Sequence, residues 1–156
     1  MTHKAPKNRA IIALYQPDIP QNTASIARTC ACLGASLEII KPCGFFLSDK
    51  KFKRVVMDYM EISQIKFYKD DIDFFNAKIG KRIILMTTKG KKIYTDFKFE
   101  LGDTLLFGRE SSGVPENFHE KIKHKLIIPM VKSKRSLNLS TSVSITLAEN
   151  LRQTGH

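Results

Sequence analysis

The sequence predicts an α/β fold, a Rossmann-like parallel sheet with helices on both faces. Three observations predict it. Short apolar runs alternate with helix-spaced segments along all 156 residues. The apolar runs are continuous rather than alternating, which suits strands buried on both sides. The loops after three of those runs are rich in glycine and hydroxyl groups, and ligands in open α/β sheets bind beyond the carboxyl ends of the strands. At 42% hydrophobic the chain can bury one core. Residues 1–8 read as a flexible N-terminal extension and 9–156 as a single domain.

The elements follow in order. "AIIALY" (10–15) is a buried strand. "QNTASIARTCACLG" (21–34) places Ile26, Cys30 and Leu33 at helical spacing, with Asn22 or Thr23 as cap and Gly34 at the end. "SLEII" (36–40) is a strand stopped by Pro42. "DKKFKRVVMDY" (49–59) is a short basic helix, "SQIKFY" (63–68) a weak strand, and "DIDFFNAKIG" (71–80) a helix closed by glycine. "RIILMTT" (82–88) and "DTLLFG" (103–108) are strands. "PENFHEKIKH" (115–124) opens on a proline suited to a first helical turn. "KLIIPM" (125–130) is the last strand, and "NLSTSVSITLAENLRQ" (138–153) a helix with Val143, Leu147 and Leu151 on one face.

Composition narrows the function classes. The net charge of +11 points to a polyanion, nucleic acid before a membrane surface. The cations cluster at 49–54, 89–92, 119–125 and 131–135, among structured elements rather than in a tail. No apolar run is long enough for a membrane span, and "IIALY" (11–15) is too short for a signal-peptide core, so the expectation is a cytoplasmic protein. Cys30, Cys32 and Cys43 lack metal-ligand spacing and read as reduced thiols; no metal is expected.

The unusual loops are "MTTKGKK" (86–92), "FGRESSGVP" (107–115) and "IPMVKSKRSLNLS" (128–140). Gly108 to Gly113 has the span of a phosphate loop, but Val114 and Pro115 stand where Lys and Ser/Thr are needed. No G-x-G-x-x-G follows the first strand. Glu110 occupies the place a nucleophilic serine would take in G-x-S-x-G. None of the three loops holds a histidine, and His119 and His124 read as solvated residues of a basic helix. What remains is a site of backbone groups, small hydroxyls and an amide, suited to an adenosine-like ligand that is already chemically activated.

Three motifs carry a resemblance. They are Asn22-x-x-x-Ile26-x-Arg28, then Leu106-Phe107-Gly108-x-Glu110-x-x-Gly113-Val114-Pro115, and then Ile127-Ile128-Pro129-Met130 with Ser136-Leu137-Asn138-Leu139-Ser140. With them the chain resembles the SPOUT class of S-adenosylmethionine-dependent RNA methyltransferases, in particular the short SpoU-type tRNA ribose 2′-O-methyltransferases. Gly44 to Tyr59 and Thr87-Thr88-Lys89-Gly90 are similar to the branch that methylates the wobble nucleotide, position 34, cytidine or uridine. The resemblance covers nearly the whole chain. Thr141 and Ser142 depart from it, standing where Asn-Ala is expected.

The resemblance implies a C-terminal deep trefoil knot, which no physical reading of the sequence suggests. It implies a homodimer, S-adenosylmethionine as methyl donor, and the anticodon stem-loop of a tRNA, a leucine tRNA among the candidates, as substrate. Met86, Thr87, Gly108, Gly113, Ile128, Met130, Ser136, Leu137 and Asn138 would line the cofactor pocket. Arg28 would be catalytic and reach the partner protomer's site. Asn22 is either catalytic or a helix cap; Glu110 either orients Arg28 or braces its loop. Phosphates would meet Lys50, Lys51, Lys53, Arg54, Lys132 and Lys134. Tyr59 either stacks on a splayed base or belongs to the core. The rival readings are the same chemistry on ribosomal RNA and an RNA-binding module without catalysis.

Overall fold

The computed structural model describes residues 9–58, 64–132 and 136–155. Seven strands form one sheet: β1 (Ile11–Tyr15), β2 (Ser36–Ile40), β3 (Lys66–Tyr68), β4 (Ile83–Met86), β5 (Lys92–Ile93), β6 (Thr104–Phe107) and β7 (His124–Ile127). Their order is β3-β2-β1-β6-β4-β7-β5, and every pairing is parallel. The helices are α1 (Pro20–Leu33), α2 (Lys50–Met57), α3 (Asp71–Ala77), α4 (Glu116–Lys121) and α5 (Leu139–Thr154).

The pleat sends alternate side chains to opposite faces, and the core divides accordingly. Ile12, Leu14, Leu37, Ile39, Leu105 and Phe107 share one cluster with apolar residues of α1, α2 and α5. Ala13, Ile40, Leu85 and Leu106 share the other with Phe74 of α3 and Phe118 of α4. Continuous apolar strands are thus explained by two covered faces. All four residues of the central strand β6 are buried.

Several boundaries differ from the expectation. α1 starts earlier, at Pro20, with Ile19 as N-cap and no side-chain capping bond; proline lacks the N–H that a first turn leaves orphaned anyway. Asn22 and Thr23 therefore lie inside the helix and neither caps it. Gly34 ends α1 with a φ of 75°, its N–H bonded to the Cys30 carbonyl. β7 stops at Ile127 instead of running to Met130, because Pro129 has no N–H for the ladder. β5 was not anticipated: it is two exposed residues on the sheet edge, within a run read as a basic loop.

One polar cluster is buried away from the loops. Lys78 Nζ lies 3.0 Å from Glu38 Oε2, with side chains 3% and 8% exposed, and the Tyr68 hydroxyl donates to the same carboxylate. Burial holds the Lys78 amine below its ordinary pKa, against the opposing pull of Glu38.

Candidate functional site

β6, β4 and β7 are neighbours in the sheet, so the loops leaving their carboxyl ends meet. They enclose a cleft of about 300 Å³, at the lower end of small-molecule sites. Met86, Thr87, Gly108, Gly113, Ile128, Met130, Ser136 and Leu137 all line it. So do Thr88 and Lys89 of the Thr87–Gly90 motif, Ser142, one of the two departures from the family pattern, and Ser111, Ser112 and His119, which were not assigned to the pocket. Asn138 is not among the lining residues. It caps α5, accepting from the Thr141 N–H at 3.2 Å, and donates to Asn22 Oδ1 at 3.0 Å.

The glycines shape the cleft in different ways. A Cβ on Gly108 would lie 2.6 Å from both C and Cα of Gly113, so Gly108 makes room for the return of its own loop. Reciprocal bonds between Arg109 and Gly113, at 3.1 and 2.9 Å, close that loop. Gly113 has open space around it but a φ of +69°, the left-handed region that side chains resist.

His119 corrects the expectation that it is a solvated helix residue. α4 turns it inward to the cleft, where Nε2 lies 3.0 Å from Thr87 Oγ1. Thr87 Oγ1 also accepts from the Lys89 N–H at 3.1 Å. Nδ1 of His119 is buried without a partner. A bare nitrogen there costs less than a stranded N–H, which favours the tautomer with the proton on Nε2, donating to Thr87. Lys89 Nζ pairs with Glu116 at 2.9 Å, so α4 holds the first cleft loop at two points.

A second network backs the cleft. Glu110 Oε2 accepts from the Asp18 N–H at 2.9 Å, and Oε1 from Asn22 Nδ2 at 3.4 Å. Asp18 in turn accepts from the Ser111 hydroxyl at 2.5 Å and lies 3.5 Å from Arg109 Nε. Burial first, then Asp18, pushes the Glu110 carboxyl above its ordinary range. Hydrogen bonding from Glu110 holds Asp18 below its own. Glu110 thus braces the loop against the start of α1.

The described cations named for phosphate contact, unlike Lys89 and Arg109, do not line the cleft. Lys50, Lys51, Lys53 and Arg54 are exposed on α2, whose Phe52 and Val56 anchor it in the core. Lys132 is exposed within the third loop, and Arg28 is exposed on α1; neither is a lining residue. Tyr59 and Lys134 lie outside the described residues. Burial pushes the Cys30 thiol up to about 12, so it is inert at neutral pH. Among the described residues, no helix is long and apolar enough to cross a membrane, and no group of three or more His, Cys, Asp or Glu is arranged to hold a metal ion.

Comparison with known proteins agrees with this fold. The model of the SpoU rRNA Methylase family matches residues 9–148. A tRNA (cytidine(34)-2′-O)-methyltransferase of Beijerinckia indica is 43% identical over 147 residues, 93% of this chain and 92% of that protein. The Escherichia coli K12 protein of the same name is 39% identical over 147 residues, 93% of this chain and 94% of its own. A solved structure concerned with the 2-OH methylation of C/U34 on tRNA superposes with a TM-score of 0.86 at 38% identity, covering 94% of this chain and 96% of that one. The SpoU methyltransferase AviRb of Streptomyces viridochromogenes, solved with the cofactor AdoMet, shares the fold: TM-score 0.79, 21% identity, 96% of this chain and 59% of that one.

Proposed function

Because the chain belongs to the SpoU rRNA Methylase family, we propose that it methylates the ribose 2′-oxygen of the wobble nucleotide, position 34, of tRNA, with S-adenosylmethionine as donor. Relatives at about 40% identity across nine-tenths of the chain carry that activity in their names. The observation that carries the reading is the meeting of three motif loops in one cleft. Leucine tRNAs are the proposed substrates. A trefoil-knotted C-terminal segment and a homodimer are part of the same proposal.

The cleft suits the donor. Met86, Phe107, Ile128 and Leu137 offer an apolar floor for an adenine, and the hydroxyls of Thr87, Thr88, Ser112 and Ser142 a polar rim. When bound, S-adenosylmethionine supplies a methyl group on a good leaving group. The chain supplies alignment, which in favourable cases is worth roughly 7–11 kcal/mol, and a path for the proton of a weakly acidic hydroxyl.

Arg28 does not take that proton, since a guanidinium stays protonated in proteins. In this reading Arg28 clamps a substrate phosphate, which accepts the proton while the arginine holds it in place. Being exposed on α1 and outside its own cleft, Arg28 serves the site of the partner protomer. Asn22 and Glu110 hold the start of α1 to the cofactor loop. Lys50, Lys51, Lys53, Arg54, Lys132 and Lys134 grip the phosphates.

The test is incubation with methyl-labelled S-adenosylmethionine and total tRNA, digestion to nucleosides, and mapping by mass spectrometry. The expected result is label on the ribose of nucleotide 34, lost in Arg28→Ala. Cofactor binding with no label on tRNA overturns the substrate assignment; no cofactor binding overturns the enzyme.

A further inference from the structure

Phe46 is 84% exposed, the most exposed large apolar residue of the described chain. Its neighbours explain why it stays outside. Phe45 packs on Phe52 of α2, ring centroids 5.1 Å apart, and Leu47 packs against the same core. With both inward places taken, Phe46 has nowhere to turn. The Asp49 N–H donates to the Phe46 carbonyl at 3.0 Å, and Asp49 caps α2 through the Phe52 N–H. The ring is held out by a built turn.

Its surroundings say what it faces. Directly after the turn come Lys50, Lys51, Lys53 and Arg54, all exposed. An apolar ring beside four cations does not suit a protein core, and the same four cations facing their own copies would repel. It suits a single-stranded polyanion whose bases carry π-faces. The position relative to the cleft is also set. The Gly44 N–H bonds to the Pro17 carbonyl at 2.9 Å, and a Cβ on Gly44 would lie 2.5 Å from Asp18 Cβ. Asp18 is the residue whose N–H and carboxylate are bonded to Glu110 and Ser111 of the cleft loop. Phe46 is two residues further on, about 7 Å of chain at most.

We infer that Phe46 is a stacking platform for an unpaired nucleobase flanking the nucleotide that is methylated, with α2 gripping the phosphates beside it. The inference rests on the proposed RNA substrate.

The experiment uses the full-length protein and an anticodon stem-loop carrying 2-aminopurine next to nucleotide 34. Wild-type protein is expected to change the 2-aminopurine fluorescence on binding. Phe46→Ala is expected to abolish that change and weaken binding by at least about fivefold, the low end for one lost base–aromatic stack. Its salt slope and cofactor affinity stay as in wild type, and Phe46→Trp restores the signal. Lys51→Ala, in contrast, lowers the salt slope. Unchanged affinity and fluorescence in Phe46→Ala overturn the platform while wild-type methylation upholds the substrate. A changed sedimentation profile with unchanged RNA binding makes Phe46 a protein contact and likewise overturns it. Absence of wild-type binding and methylation overturns both readings.

Discussion

Gly108→Ala separates two reasons for having a glycine. The added Cβ would sit 2.6 Å from Gly113 C and Cα and 2.9 Å from Val114 N, where ordinary contact begins at 3.4 Å. All three atoms are backbone, so no side chain can swing aside. Either the loop moves, stretching the 3.1 and 2.9 Å bonds between Arg109 and Gly113, or the strain stays. Overpacking of this kind costs about 1–3 kcal/mol. A moved loop no longer lines the cleft as before, and about 1.4 kcal/mol lost from cofactor contacts is tenfold in affinity. Gly113→Ala is the control: its Cβ meets nothing within 4 Å, and the penalty is the left-handed backbone alone, about 1–2 kcal/mol. Urea denaturation and calorimetry with S-adenosylmethionine are run on both. Both variants are expected to lose stability, and Gly108→Ala to lose cofactor affinity by tenfold or more beyond Gly113→Ala. A Gly108→Ala protein with wild-type midpoint and affinity would refute the packing argument.

Three other outcomes are expected. Lys78→Met strands the buried Glu38 carboxylate and should cost about 3–5 kcal/mol by urea denaturation; Lys78→Met with Glu38→Leu should recover most of it, and a single-variant loss under about 1 kcal/mol would contradict the burial. His119→Leu should weaken cofactor binding about fivefold by calorimetry, the worth of one hydrogen bond, and His119→Gln, which keeps an N–H donor, should restore much of it; equal affinity in all three removes His119 from the site. Burial first, then Arg82 and Lys123, hold the His124 pKa below its ordinary 6.5. The unfolded chain therefore binds the proton first, and stability should fall as pH drops through 6.5 until folded His124 is protonated too. His124→Asn should flatten the denaturant midpoint across that window, and an unchanged slope would rule this histidine out.

What the sequence made legible follows from physics on the scale of a few residues. "LLF" and "IIAL" are apolar throughout because both their faces are covered. Gly34 announced the end of α1 because a left-handed residue is nearly always glycine. The start of α1 was misread because Asn22 and Thr23 are better caps than Ile19, and the proline rule outweighed them. β5 was invisible: Lys92 and Ile93 pair with β7 only because the first loop crosses its end, with Gly90 pressed against the backbone of Leu126. Most lining residues were legible because they belong to the motif loops, whereas His119 reads as solvated because it lies on a basic helix. A period of 3.6 tells which residues share a face, not which face meets a cleft. The pair of Glu38 and Lys78 is separated by 40 residues, and no local pattern reports it.

The short loop between β1 and α1 touches both proposed ligand surfaces. Gln16 opens it with a φ of 42°, rare for a residue other than glycine. Asp18 within it is tied to the cofactor wall through Glu110 and Ser111, and Gly44, on the way to Phe46 and the basic helix, lies against it. A displacement of Asp18 is therefore felt on both sides. Thermodynamic linkage then sets a reciprocal rule: whatever factor the methyl donor contributes to RNA affinity, RNA must return to the affinity for the donor. The two substrates would arrive as a coupled pair, with one strained turn as the joint between them.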